Sequence, residues 1–583
     1  MKTIARDFSA GVCLVLLLFA SGFAVADPSL PWALRNHYSI PIEEGVLIYG
    51  EDNAEWRVLL KDETVLADSI GFSITLGDGT ELTGLSLEEG TSSRDAFTNA
   101  IGDGTTYSVT FPPQKGLKVT HILRTFKARP FVFVEIEVEN VGTTDVAVAS
   151  IRPVVSESSV IQSLSPQTRI HYRRLQDVAG QPIVVAEEDA LMAVIHDPAK
   201  PICFGVGLIP TGQARSTVSF RERDGEWHGE IACRYEPARR IAPGETLSAD
   251  PLWISHGMPE AHRVDLYYSW AYSVLVDSPE RNFPARGWYT LADAKGLNDY
   301  VAAGTAWNKV GINHVLVGPG WEGRPGSLQG AASRFPKSMK GAVGTLTQAG
   351  MKVGISIDPL VAKEGGQPWT VDSSDGQAWI NPTLPGAAKA LAAKMKTLNS
   401  WGVAFVVVDK SMIPDAALEK FQLTRSEAQN AAYKALRNAA APIPVFPASV
   451  GMIQDNVDDW LDVGSAVARM AIYGMVPGPL HFRVKDAANI SDDLVTAASF
   501  WPGPIEFQGA LKHKSQEDIA KLIAEKRVPA QPMDADKRAP RTWQVKEYDG
   551  EGTLLDERTI SLSGARAALA EKSAGSKENA AAS

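Results

Sequence analysis

Between about Leu30 and Ser273, apolar and polar positions alternate over short runs that turn residues separate. The runs VLIYGED, FSITLGDGT, YSVTFPPQKG, FVFVEIEVENVGTTDVAVASI and CFGVGLIPTG carry this pattern, and Gly77-Asp78-Gly79 has turn chemistry. Phe131–Asn140 alternates as a strand with one buried face. Many short strands at this spacing predict a large antiparallel β-sandwich, placed at 27–278. After Pro284 the pattern changes. Strand-like pieces at Gly287–Leu291, His314–Val317, Lys352–Ile357, Phe405–Val408, Pro444–Ala448 and Pro504–Gln508 now alternate with helical stretches such as Pro385–Gly402. That alternation predicts a (β/α)8 TIM barrel over 279–527, with a doubly wound open sheet as the alternative. From Val528 the helical period is lost. Thr542–Tyr548 and Thr553–Ser561 read as a hairpin around Asp549-Gly550-Glu551-Gly552, so 528–583 is a short β remnant with a flexible tail.

Phe405–Val408 is apolar on both faces and too short for a helix, the mark of a strand covered on both sides. Asp409 follows it directly. In parallel α/β folds chemistry gathers at the strand C-termini, so Asp409 is a candidate nucleophile or base. A turn or helix-cap aspartate is the plainer alternative.

Composition narrows the partners. The chain has 583 residues, 44% hydrophobic and 21% charged, as in ordinary globular proteins. Its net charge of −11 disfavours nucleic acid, which needs a basic face. The first 26 residues read as a signal peptide: Lys2 and Arg6, then the apolar run Val12–Phe19, then Ala24-Val25-Ala26 as a cleavage site. Export to the periplasm or outside the cell is expected, with no integral membrane segment after cleavage, because no later run reaches ~18 apolar residues. Cys13 leaves with the signal. Cys203 and Cys233 remain, and an oxidising compartment makes them a candidate disulfide, with two buried thiols as the alternative.

An ordered set of motifs resembles the melibiase, or α-galactosidase-like, superfamily of glycoside hydrolases. RPFVFVEIEVENVGTT from Arg129 resembles part of the family's N-terminal supersandwich. Gly287-Trp288-Tyr289, VLVGPGW from Val315 to Trp321, and Arg334 to Met339 resemble successive steps of its barrel. So do GISIDPLV from Gly354, Trp369-Thr370-Val371-Asp372, and the helix ending at Trp401-Gly402 that leads into the Asp409 strand. The resemblance implies a retaining glycosidase with Asp409 as nucleophile and an oligosaccharide or other glycoside as substrate, without a cofactor. The sequence also departs from the family. Gly318-Pro319 replaces an acidic pair, Val407 stands where a lysine is usual, and no arginine precedes the acidic segment around Asp458, Asp459 and Asp462.

A retaining mechanism needs two carboxyls ~5–5.5 Å apart. Asp462, after Trp460-Leu461 and before Val463-Gly464, is the candidate acid/base, a solvated loop aspartate being the alternative. Asp358 ends the third strand before Pro359 and is a candidate for binding sugar hydroxyls, or a turn-forming Asp-Pro. Trp288, Trp321 and Trp369 lie at or after strand ends, as sugar-stacking platforms or as packing. No HExxH marks a zinc site, no GxSxG a serine hydrolase, and no P-loop a nucleotide site. A catalytically degenerate barrel that binds a glycan or a partner is the second function class. The sequence leaves sugar, linkage and oligomeric state open.

Overall fold

The computed structural model describes residues 36–42, 45–62, 64–127, 129–156, 160–162, 169–173, 192–197, 202–223, 226–255, 287–291, 294–336, 338–373, 376–409, 413–440, 443–446, 452–453, 482–484, 505–508, 530–532, 542–548 and 554–561, with single residues around 264–275, 511 and 519. The signal segment, the C-terminal tail and the acidic segment with Asp458, Asp459 and Asp462 lie outside the described residues.

Two antiparallel sheets, of ten and nine strands, are built from His37 to Ser255. Their facing sides share one core. Leu47, Val58, Ile151, Val218 and Ile231 come from the first sheet, and Val109, Val119, Val134, Val206 and Ile254 from the second. The nine-stranded sheet is also covered on its other side. Phe131 and Phe133 point into a second cluster with Phe126, Trp253, Tyr268 and Ala271, while Val132 and Val134 point into the shared core. The first half of Phe131–Asn140 is therefore buried on both faces, and only its second half alternates with Glu135, Glu137 and Glu139 half-exposed. The Gly77-Asp78-Gly79 turn forms as its chemistry predicts. Asp78 accepts the Thr80 amide at 2.8 Å, and Gly79 takes a positive φ of 84°.

The two cysteines belong to different layers, which corrects the expected disulfide. Cys203 lies on Ile202–Leu208 of the nine-stranded sheet and packs in its outer cluster. Cys233 lies on Glu226–Ile241 of the ten-stranded sheet and points into the shared core. Both are fully buried and no disulfide joins them. One strand lies in each sheet, and the two side chains point into separate clusters, so no bridge is within geometric reach.

The third large sheet is parallel throughout and has eight strands. In chain order they are Gly287–Thr290, His314–Val317, Lys352–Ile357, Phe405–Val408, Val445–Phe446, Met452–Ile453, Phe482–Val484 and Ile505–Gln508. Their spatial order is fifth, fourth, third, second, first, eighth, seventh, sixth. The first strand thus pairs with the last, Gly287 opposite Ile505. The expected strands two, three and four appear with the bounds read from sequence. Met452–Ile453 and Phe482–Val484 were not foreseen, nor was the small antiparallel sheet of Val361–Ala362, Thr370–Asp372 and Ala378–Ile380 that follows the third strand. A further sheet joins Ala530–Pro532, Thr542–Tyr548 and Leu554–Ser561, adding one strand to the expected hairpin.

Helices follow from local signals. Pro385 opens Pro385–Ser400 at a position where its missing amide costs nothing, and Gly402 ends the turn with φ 83°. The helix buries Ala387, Leu391, Met395 and Leu398 against the parallel sheet. Thr424 and Glu427 form a capping box that starts Arg425–Ala439. Among the described residues no helix is long and apolar enough to cross a membrane.

Candidate active site

Alternate residues of the parallel strands sort onto two faces. Tyr289, Val315, Val317, Val353, Ile355, Val406 and Val408 meet the helices, in one core with Trp307, Leu346 and Leu398. Trp288, Leu316, Phe405, Val407 and Phe446 meet one another on the opposite face. Ring centroids of Trp288 lie 5.0 Å from Phe405 and 5.2 Å from Phe446. Gly354 makes this possible: a Cβ there would stand 2.2 Å from the Phe405 ring. The aromatic face is thereby filled from below.

Asp409 comes next on that same face, one step beyond the fourth strand. Its amide donates to the Ile357 carbonyl at 2.8 Å, which extends the ladder to the third strand and fixes the backbone. Its Oδ1 accepts the hydroxyl proton of Ser356, the neighbouring inward residue of that strand. The Asp409 side chain is half-buried, with Val407 fully buried beneath it. The Ser356 hydroxyl thus orients the carboxylate at the end of a buried strand.

Asp358 stands at the end of the adjacent third strand. Its Oδ1 accepts the Leu360 amide at 2.9 Å, closing the Asp-Pro turn, so the turn reading and the site location coexist in one residue. The structure therefore brings Asp409 and Asp358 to neighbouring strand ends. It removes two of the three tryptophans from any open surface, against expectation. Trp288 is 0% exposed inside the first strand, under the strand ends. Trp321 is 1% exposed, donates its Nε1 hydrogen to the Ser356 carbonyl at 2.6 Å and meets Trp401 edge-on at 6.4 Å. A ring enclosed in this way has no face left for a sugar. Trp369 is half-buried over Gly386, whose absent Cβ would collide with the indole at 2.1 Å.

Polar residues that the sequence reading passed over cluster here. Ser356 holds Asp409. Glu506, on the eighth strand opposite Trp288, is 1% exposed and accepts the Thr290 hydroxyl at 2.8 Å. The signal for Glu506 was present as a charged residue inside the apolar run PIEF, where burial is expensive unless a partner is supplied. Glu322, in the loop after the second strand, and Lys394, on the helix Pro385–Ser400, are far apart in sequence. Among the described residues no group of three His, Cys, Asp or Glu stands close enough to hold a metal.

No family model and no curated protein matches the sequence. Solved structures match by fold. The GH36 α-galactosidase AgaA from Geobacillus stearothermophilus, in complex with 1-deoxygalactonojirimycin, aligns with a TM-score of 0.55 at 10% identity, over 88% of this chain and 90% of that one. The α-galactosidase from Lactobacillus brevis aligns with a TM-score of 0.56 at 11% identity, over 88% of each chain. The galactosidase domain of the α-galactosidase–sucrose kinase AgaSK gives 0.55 at 11% identity, over 91% of this chain and 92% of that one. At such identities the shared property is the fold, and the chain has the fold of these α-galactosidases along most of its length.

Proposed function

We propose that the chain is an exported glycoside hydrolase, related to α-galactosidases, that cleaves an α-linked glycoside with retention. On this reading the eight parallel strands close into a (β/α)8 barrel, residues 1–26 direct export to the periplasm or beyond and are removed, and the strand ends around Asp409 form the sugar site. An Asp409 carboxylate oxygen attacks the anomeric carbon as the bond to the leaving oxygen breaks. A second carboxylic acid, assigned to Asp462, gives that oxygen its proton. Water then attacks the glycosyl ester with the same residue now taking a proton, which releases the sugar and restores Asp409. Asp358 and Trp369 contact the sugar, and no cofactor takes part.

The placement of Asp409 carries the reading: it ends the fourth strand of the parallel sheet, on the face away from the helices, held by Ser356. The first-to-last strand pairing is the arrangement a barrel uses. Related structures of AgaA hold raffinose and stachyose, and α-linked oligosaccharides of that class are the substrates to try first. The test is Asp409→Asn, which keeps shape and removes the nucleophile. Turnover of an aryl α-galactoside is expected to fall by about 10⁴-fold, with circular dichroism unchanged. Turnover equal to that of the unaltered protein removes Asp409 from the mechanism.

One observation favours the second reading, of a degenerate barrel that binds a glycan. The site lacks the family's lysine at Val407, which is buried, and its acidic pair at Gly318-Pro319. Under that reading no aryl α- or β-glycoside is hydrolysed, and oligosaccharide binding survives Asp409→Asn.

A further inference from the structure

Lys394 lies on the helix Pro385–Ser400, one turn from both Leu391 and Leu398 on the helix's buried face. A lysine there would ordinarily turn its head to water. Instead its Nζ donates to the Val361 carbonyl at 2.6 Å, where the chain leaves the third strand for the small antiparallel sheet. Burial pulls the ammonium below the usual lysine range, and the carboxylates of Glu322 and Asp358 oppose that pull.

The two carboxylates are themselves anchored in different loops. Glu322, just after Trp321, accepts the Gly326 amide at 2.9 Å and the Leu328 amide at 2.6 Å, folding the loop after the second strand back on itself. Gly326 has φ 75°, and a Cβ on it would stand 2.7 Å from the Val361 carbonyl oxygen, the atom that Lys394 holds. Asp358 accepts the Leu360 amide and belongs to the loop after the third strand. The loop after the second strand, at Gly326, and the helix, through Lys394, thus meet at one carbonyl of the loop after the third strand.

We propose that Lys394 is a positioning residue whose hydrogen bond to the Val361 carbonyl fixes the loop after the third strand where the loop after the second strand packs on it at Gly326, so that the two form one rigid rim with Asp358 at its inner edge. The proposal deepens the hydrolase reading and rests on it for the rim's role, namely keeping a sugar-binding carboxylate in place before substrate arrives. The physical logic is pre-organisation. Breaking the bond between a buried ammonium and a carbonyl leaves both groups short of a partner, so the contact that fixes the two loops is costly to open. Lys394 touches neither Asp409 nor a substrate in this scheme and acts through the Val361 carbonyl.

Amide hydrogen exchange of the full chain tests the tie without needing turnover. In Lys394→Met the Gly326, Leu328 and Leu360 amides are expected to exchange about tenfold faster or more, while amides of the core strand Val353–Ile357 stay as protected as before. Lys394→Arg, which keeps the charge, is expected to restore much of the protection. No change at those three amides overturns the proposal, and so does an equal rise over the whole parallel sheet, which would mark general destabilisation. If Lys394→Met does not fold, Glu322→Gln reads the tie from the other end. Leu360, in a different loop, must then exchange faster, and an unaltered Leu360 rate refutes the tie. The unaltered protein failing to hydrolyse any glycoside would end the hydrolase reading and leave these exchange results standing.

Discussion

Asp250 in the antiparallel region and Asp409 at the end of the parallel sheet are both held by a serine hydroxyl, Ser216 and Ser356. Beyond that their situations diverge. Asp250 is 2% exposed and also takes the amide and the hydroxyl of Thr211 at 2.8 and 2.6 Å. Burial raises its carboxyl above the ordinary range even so. Asp409 sits one residue beyond its strand and remains half-buried. The same contact has different surroundings: a carboxylate enclosed by donors is a joint in the structure, whereas the one at the strand end keeps part of its surface exposed. His121 repeats the closed pattern. It is buried against Tyr49, whose hydroxyl lies 2.9 Å from its Nδ1, and desolvation pushes its pKa down to about 3.

Acid is the strongest way to break the closed half. The unfolded chain protonates His121 near its ordinary 6.5 and the folded chain only near 3, so between those values the unfolded state binds more protons and stability falls as pH falls. The loss to this one group is expected on the order of 5 kcal/mol by pH 3. Asp250 runs with the opposite sign, since its raised pKa means that acid favours the folded state. Urea midpoints at pH 7 and pH 4 should therefore differ markedly, and His121→Phe should shrink the difference. Tyr49 can still donate to the residue 121 carbonyl at 3.2 Å in that variant. An undiminished difference would show that acid acts elsewhere.

The two serines sharpen the contrast at lower cost. Ser216→Ala should lose about 1.5–3 kcal/mol of stability, the range for a hydrogen bond to a charged group, and leave turnover per folded molecule unchanged. Ser356→Ala should do the reverse. It should lower kcat/KM about tenfold, because Asp409 loses the hydroxyl that orients it. Equal effects of both variants on stability and activity would erase the distinction. The smallest effect belongs to the cysteines. Denatured, unreduced mature protein should titrate two thiols per chain, and reductant should leave the melting temperature where it was. Absence of titratable thiol would place Cys203 and Cys233 back in a bridge.

How legible these regions were depends on run length and on reach. His314–Val317, Lys352–Ile357 and Phe405–Val408 were readable with their bounds because each is a short run rich in β-branched or other apolar residues closed by a polar residue or a turn. Met452–Ile453 and Phe482–Val484 are two and three residues long, too short to carry a period, and only the ladder of their neighbours makes them strands. FVFV at Phe131 has the same two-sided signature as FVVV at Phe405, but the glutamates that follow drew the reading to one buried face. Asp409 was legible since it lies just beyond its strand. Trp288 was misplaced because it lies inside the strand, where depth rather than position decides exposure. The meeting of Lys394 and Gly326 at the Val361 carbonyl, and the separate sheets of Cys203 and Cys233, depend on tertiary distance that no local spacing encodes.

The hydroxyl of Thr424 joins the two halves. It accepts the Glu427 amide to start the helix Arg425–Ala439, and spends its one proton on the Gln213 carbonyl of the antiparallel region at 2.6 Å. Arg239 reaches Glu427 of the same helix at 3.1 Å, and Asn430 fills the space where a side chain on Gly212 would stand. The second helix after the Asp409 strand, Arg425–Ala439, is therefore anchored at its start to a turn in another layer. In recombination terms the halves are not interchangeable modules. A grafted β-region from another member of this fold would have to bring a carbonyl to the Gln213 position, no side chain at the Gly212 position and a cation opposite Glu427, or else leave that helix without its starting point.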